Sequence, residues 1–287
     1  MKNVLITGGT DGIGKGIALD YFRKGHRVFV IGSSSAKGET LYNEAERIKG
    51  EGKITFMQAD LSLIHENERI IKKLNSEIDM LDHVILCATS YKSQKNLFTT
   101  EEGYEFNFAL SYLSRFILSY GLTHLLERSS EPIILNVCAP GMKGKVNFDD
   151  VQHPTTRILF HNSRLNDLLG VSFEQRNKGS RIKYILYNPW AVQTTGWYEA
   201  IENPIKKKVM KLVYGIVGKS VEEGVKPIIY LLEHPPKDYL TAFKLEKRVH
   251  LTMETFDPAK AERLHKITEQ LLGEIFNSTQ IALADQV

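Results

Sequence analysis

Short runs of β-branched and apolar residues alternate with longer amphipathic stretches from the start of the chain onward. Asn3–Thr7, Arg27–Ile31, Ile54–Gln58, Asp82–Cys87, Ile133–Cys138 and Ile182–Tyr187 are predicted as strands, with helical periodicity between them. Val84-Ile85-Leu86 and Ile133-Ile134-Leu135 show no polar alternation. A strand needs apolar residues on both faces when crossover helices cover both sides of a parallel sheet. The order therefore predicts an α/β domain with a doubly wound parallel sheet and helices on both faces. No repeat, low-complexity tract or linker divides the chain, so residues 1–276 are read as one domain. Two segments leave the alternation. Residues 194–219 form an insertion ahead of a helix expected near Val221. Asp257-Pro258 supplies an N-cap and a first-turn proline for a helix to about Phe276, and the tail 277–287 is expected to fray.

The 287 residues are 42% hydrophobic and 25% charged, with 37 Lys+Arg against 34 Asp+Glu. That near balance, without a long basic block, excludes a nucleic-acid-binding tail, and no apolar run approaches the ~20 residues needed to span a bilayer. Cys87 and Cys138 are too few for a secreted disulfide framework, and nothing before Val4 resembles a signal segment, so a cytoplasmic location is expected. The nine histidines lack the short spacing of a metal site, so no metal is expected.

The first predicted strand runs into Thr7-Gly8-Gly9-Thr10-Asp11-Gly12-Ile13-Gly14-Lys15-Gly16, followed by a helical pattern. Glycines here permit positive φ and remove Cβ atoms, so main-chain N–H groups and a helix N-terminus can face a pyrophosphate. The spacing T-G-x-x-x-G-I-G, with Asp60-Leu61 after the third predicted strand, resembles the classical short-chain dehydrogenase/reductase (SDR) family over roughly Lys2 to Leu245. Thr10-Asp-Gly-Ile-Gly-Lys15 and Glu101-Glu-Gly-Tyr-Glu-Phe-Asn-Phe108 are most similar to its retinol-dehydrogenase and 17β-hydroxysteroid-dehydrogenase branches. The resemblance implies a Rossmann-like fold and nucleotide contacts at Gly8, Thr10, Asp11, Gly12, Ile13 and Gly14. It adds Asp60 at the adenine ring, Leu61, Ala88 and Pro189, with Thr194 at the nicotinamide carboxamide. It also makes 194–219 the substrate lid, with Ser220-Val-Glu-Glu-Gly224 opening the helix that follows. Helices at about Glu101–Arg128 and Thr155–Arg176 would pair with a second subunit, in a homodimer or homotetramer.

An NAD-selective site places a carboxylate at the end of the second strand, where it bonds the ribose 2′-OH and repels a 2′-phosphate. Here the strand is followed by Ser33-Ser34-Ser35-Ala36-Lys37, hydroxyls and a lysine without an acid. This favours NADP(H) over NAD(H).

The family's proton relay uses a Tyr and a Lys spaced Y-x-x-x-K, a Ser at the end of the fifth strand and an Asn in the fourth helix. This chain substitutes all four positions, carrying Phe160, Arg164, Ala139 and Ser111 there. Between Pro140 and Asn188 the only tyrosines are Tyr184 and Tyr187, and neither has a lysine four residues later. A shifted alignment therefore does not restore the pair. Phenylalanine has no ionisable proton, and arginine stays charged at any working pH, which leaves Arg164 as a cation for ribose hydroxyls.

Candidate replacements on elements bordering the pocket are His161, Cys138 and Tyr112, with Ser163 and His153. A one-residue step turns His161 by ~100° from the Phe160 face, and a buried structural cysteine is commoner than a reactive thiolate. Ala139, Phe160, Trp190, Trp197 and Tyr198 are expected to line a pocket for a hydrophobic or cationic small molecule. Lysines and apolar residues mix over 205–217, a pattern shared by a lid and by a peripheral membrane helix. The lid is favoured, because membrane attachment usually takes a second signal. Three functions stay open. An atypical NADP(H)-dependent reductase leads, followed by a non-redox cyclase or isomerase with nucleotide as scaffold, and then a nucleotide-sensing or partner-binding protein without turnover.

Overall fold

Six strands form at the predicted apolar runs: β1 Asn3–Thr7, β2 Arg27–Gly32, β3 Lys53–Gln58, β4 His83–Leu86, β5 Ile133–Val137 and β6 Lys183–Asn188. A computed structural model describes residues 1–90, 97–154, 157–190, 192, 208 and 219–284, with side chains of the last helix described as far as Gly273. Two further strands complete the sheet: β7 Leu240–Lys244, which lacks the β-branched apolar run that marks the others, and the two-residue β8 Lys247–Arg248. The sheet order is β3-β2-β1-β4-β5-β6-β7-β8, parallel except for the final antiparallel pair. Because β1 lies between β2 and β4, successive crossovers leave in opposite directions there, opening a crevice at the carboxyl ends of the strands.

Alternate strand residues feed two cores. Val4, Ile6, Val28 and Val30 pack under α1 (Gly12–Arg23), α2 (Ser35–Ile48) and α7 (Val221–Glu233). Leu5, Phe29, Ile31 and Val84 pack under α3 (Ile64–Glu77), α4 (residues 106–121), α5 (Thr123–Leu126), α6 (Ile158–Arg176) and α8 (Pro258–Ala284). The helix predicted near Val221 starts there, its capping box closed by Ser220 and Glu223.

The fourth helix starts at Phe106 instead of Glu101. Glu105 is its N-cap, accepting from the Phe108 N–H at 2.7 Å, while Glu102 turns away to accept from Ile64 and His65 N–H at the start of α3. A π-turn, Ala109–Leu113, interrupts α4, and α5 ends at Leu126, short of Arg128. The fifth helix is described from Ile158. The C-terminal helix is N-capped as predicted, Asp257 accepting from the Lys260 N–H at 2.9 Å. It breaks at Gly273 (φ +59) and then runs through Ala284, beyond the predicted end at Phe276 and into the tail expected to fray. Of the 194–219 insertion, only Lys208 and Lys219 lie within the described residues. Among the described residues no helix is long and apolar enough to cross a membrane.

The inner face of α8 carries polar bonds, one of them at Thr268. Thr268 donates to its own helix at Leu264, so the Tyr112 phenol donates to the Thr268 hydroxyl at 2.7 Å, and both residues are buried. Thr268→Val leaves that phenol without an acceptor and is expected to cost about 1–3 kcal/mol of stability in denaturant unfolding.

Candidate active site and cofactor cradle

The cradle follows from register. Thr7 lies opposite Ile31 of β2 and Leu86 of β4, and Gly32 lies opposite Gln58 of β3. Gly8, Ser33, Asp60 and Ala88 therefore leave the sheet at one edge. Gly8 has φ +63 and Gly12 φ +50. A Cβ on Gly14 would stand 2.4 Å from the Gly8 carbonyl oxygen, and one on Gly8 would stand 2.9 Å from the Ala88 backbone. No side chain fits in either place. The Thr7 hydroxyl accepts from the N–H groups of Cys87 and Ala88, both at 3.1 Å, which clamps the β4 end against this loop. Asp11 caps α1 by accepting from the Gly12 N–H at 2.7 Å. Thr10 is buried under Gly32, and Ile13 sits half-buried in the first turn of α1. This tight turn at a helix N-terminus fits a dinucleotide pyrophosphate.

At the end of β3, Asp60 is exposed and accepts from the Ser62 N–H and hydroxyl at 3.0 and 2.7 Å, over the buried Leu61. At the end of β2, Ser34 caps α2 by accepting from the Lys37 N–H, while Ser33 and Ser35 are exposed. The Lys37 ammonium lies 2.5 Å from the Asp11 carboxylate. Local sequence misses this pair: the acid-free strand end meets an acid contributed by the phosphate loop.

Ser111, Ala139, Phe160 and Arg164, the four residues read against the family's relay, occupy distinct surroundings. Ser111 sits in the π-turn, and its carbonyl accepts from Asn166 Nδ2 at 2.9 Å. Phe160 is half-buried, and Gly144 packs so closely that a Cβ there would lie 3.1 Å from the Phe160 Cβ and 3.3 Å from the Arg164 Cγ. The Arg164 side chain is only 3% exposed. Its guanidinium meets Asp167 at 2.7 Å and donates to the Ala139 carbonyl at 3.4 Å. Asp167 also accepts from the Gly141 N–H at 3.1 Å. Burial pushes the Asp167 carboxyl up to about 7, opposed by the Arg164 charge. Arg164, expected to reach ribose hydroxyls, is thus turned inward onto its own helix and the loop after β5. Arginine's greater length and its carboxylate partner one turn away explain the change.

A second inward guanidinium, absent from the sequence reading, lies behind the site. Arg115 in α4 donates to Asn136 Oδ1 at 2.5 Å, the Val137 carbonyl at 3.0 Å, Asn166 Oδ1 at 3.4 Å and the Ala88 carbonyl at 3.1 Å. One side chain thereby ties together the ends of β4 and β5 and the helix bearing Phe160. The available signal was a lone arginine inside the apolar run Leu110–Leu126.

The replacement candidates are placed elsewhere. Tyr112 is fully buried against α8 and does not border the pocket. Burial pushes the Cys138 thiol up to about 12, so it is no thiolate at neutral pH, and Cys87 behaves alike. His161 is buried off the Phe160 face, donates to the Val151 carbonyl at 2.9 Å and is held neutral by desolvation. Ser163 donates to Leu159 in its own helix, and exposed His153 pairs with Asp150. Pro189 is half-buried at the β6 end. Trp190 adopts φ +59, the conformation that favours glycine, with 57% of its surface exposed and Lys244 Nζ 3.8 Å from its ring centre. Of the pocket wall expected from sequence, Trp190 is thus engaged on the β7 side. Thr194, Trp197 and Tyr198 lie outside the described residues. Among the described residues no group of three or more His, Cys, Asp or Glu is placed to hold a metal.

Asp167→Asn leaves Arg164 buried beside a neutral amide. Denaturant unfolding at a pH above the Asp167 titration is expected to show a loss of about 3–5 kcal/mol.

A family model described as short chain dehydrogenase matches residues 2–149. Human retinol dehydrogenase 14 is 25% identical over 95% of this chain and 86% of its own length. Dehydrogenase/reductase SDR family member 12 of Bos taurus is 30% identical over 93% of this chain and 85% of its own. The structure of a short-chain dehydrogenase from Sphingobium yanoikuyae in complex with NADPH superposes with a TM-score of 0.60 at 18% identity, covering 95% of each chain. The glycine turn, the switch point between β1 and β4 and the family match over residues 2–149 agree, and the chain belongs to the short-chain dehydrogenase family, in its retinol-dehydrogenase branch.

Proposed function

We propose that the chain binds NADP(H) and acts as an atypical reductase of a hydrophobic small molecule, one whose acceptor bond needs no phenolic proton donor. The observation that supports this most is a complete phosphate cradle beside an apolar Phe160 where the family's proton donor would stand. The backbone of Gly8–Gly14 would hold the pyrophosphate, Asp60 the adenine side, Ser34 and Lys37 a 2′-phosphate, and Pro189 the nicotinamide end. The nucleotide, when bound, supplies a hydride. An iminium carbon suits this pocket: as it accepts hydride, the C=N π pair becomes the nitrogen lone pair and no proton is required. Phe160 and Ala139 would exclude water and offer apolar surface, with the Phe160 ring available to the substrate's positive charge. The retinol named for the human relative supports a hydrophobic ligand.

The test is anaerobic turnover of NADPH with cyclic iminium and activated-alkene substrates, with the product analysed for the transferred hydride. Conversion without net NADPH consumption would favour a cyclase or isomerase, and tight binding without turnover a sensor. Simple aldehydes are expected to be poor substrates. Restoring the relay as Ala139→Ser, Phe160→Tyr and Arg164→Lys together is expected to raise aldehyde reduction about 10²–10⁴-fold. Phe160→Tyr alone is expected to gain far less, because members of a catalytic unit are not additive.

Cofactor selectivity depends on how Asp11 shares Lys37. Asp11→Asn frees the ammonium for a 2′-phosphate. Fluorescence titration is expected to show NADPH binding tighter by roughly 2–5-fold, the strength of an exposed ion pair, with NADH changed less.

A further inference from the structure

The loops that enter β5, β6 and β7 meet at the amino ends of these strands, on the opposite edge of the sheet from the cofactor crevice. Parallel pairing puts Ile133 beside Lys183 and Tyr184 beside Leu240, so residues 130–132, 181–183 and 235–239 arrive at one place from distant parts of the chain. They line a groove of about 350 Å³, within the size range of small-molecule sites. Backbone bonds fix its walls: the Lys183 N–H donates to the Pro132 carbonyl at 3.0 Å, and the Tyr184 N–H to the Tyr239 carbonyl at 2.6 Å. Pro132 and Pro235, both in the lining, add fixed φ angles.

The charge of the groove is one-sided. Arg181, Lys183 and Lys237 line it against a single acid, Glu131. That carboxylate is already engaged, 3.3 Å from the Lys2 ammonium. Asp238, the acid next to Lys237 in the chain, pairs with Arg248 of β8. Both acids are thus held by cations outside the lining, and a cleft walled by charges of one sign focuses its potential on the space between them. Arg181 is anchored at the wall by donating to the Glu127 carbonyl at 3.2 Å. A phosphomonoester suits this set: it carries close to two negative charges at neutral pH, and its oxygens accept from ammonium and guanidinium groups alike. The exposed Tyr239 ring adds a flat wall for the ester's organic body.

We propose that this groove is an anion site separate from the cofactor crevice, and that it takes a small phosphomonoester. The inference does not depend on the cofactor or substrate reading. The full chain is titrated with phenyl phosphate while its amide chemical shifts are followed by NMR. Saturable shifts are expected at Glu131, Arg181, Lys183, Lys237 and Tyr239. Lys183→Gln with Lys237→Gln is expected to weaken that binding about tenfold, the strength of two exposed ion pairs. A matched loss of charge elsewhere, Lys72→Gln in α3 with Lys226→Gln in α7, is expected to leave it within about twofold. Shifts confined to Gly8–Gly14, where a phosphate would meet the cofactor cradle, overturn the proposal. Equal weakening by the two double variants also overturns it, because attraction to the surface at large would then explain the binding. Tighter binding of hexaglutamate than of phenyl phosphate overturns it in favour of an acidic peptide.

Discussion

A guanidinium taken out of water must find acceptors, and Arg115 finds them on three elements at once. Its bonds to the Ala88 and Val137 carbonyls set the spacing between the ends of β4 and β5, and those to Asn136 and Asn166 bring α6 to the same point. Asn166 carries the network on to the Ser111 carbonyl in the π-turn. The Gly8 loop, clamped to Ala88 through the Thr7 hydroxyl, the Ala139 strand end and the Phe160 helix are thus held in one frame. A shorter or neutral side chain at 115 could not reach all of these acceptors, and the cofactor crevice is the space they leave.

Arg164 repeats the device nearer the surface of the site. In the family pattern its position carries a lysine beside a tyrosine. Here Phe160 has nothing for a cation to tune, and the guanidinium turns to Asp167 and the Ala139 carbonyl. Phe160 and Arg164 are therefore consistent with one another: an apolar ring stands one turn before a cation that turns inward. An apolar wall results, with the positive charge held behind it. Trp190 shows the same remodelling at the β6 end, a large residue in the conformation that glycine favours.

The apolar runs located six strands because burial on both faces leaves a pattern that needs no knowledge of neighbours. The glycine turn was equally legible, since Gly8 and Gly14 report a steric limit within a few residues of chain. Less visible were β7, which has no β-branched run, the two-residue β8, and the start of α4, where Glu102 and Glu105 look alike in sequence yet cap different helices. Tyr112 follows Ser111 on an element expected to border the pocket, which made it a candidate. A helix turns its residues to different sides, and Tyr112 faces α8.

The sequence by itself determined the fold and the phosphate loop, because each is a matter of residue identity or of contacts short along the chain. The tertiary structure alone decided where the charges go. Lys37 meets an acid 26 residues away, and Arg115 meets acceptors up to 51 residues away. It also decided that the C-terminal helix lies on α4 and α6, as the 156-residue separation of Tyr112 and Thr268 requires. Such pairings depend on which strand ends and helix faces the sheet order brings together, and local pattern carries no record of that order.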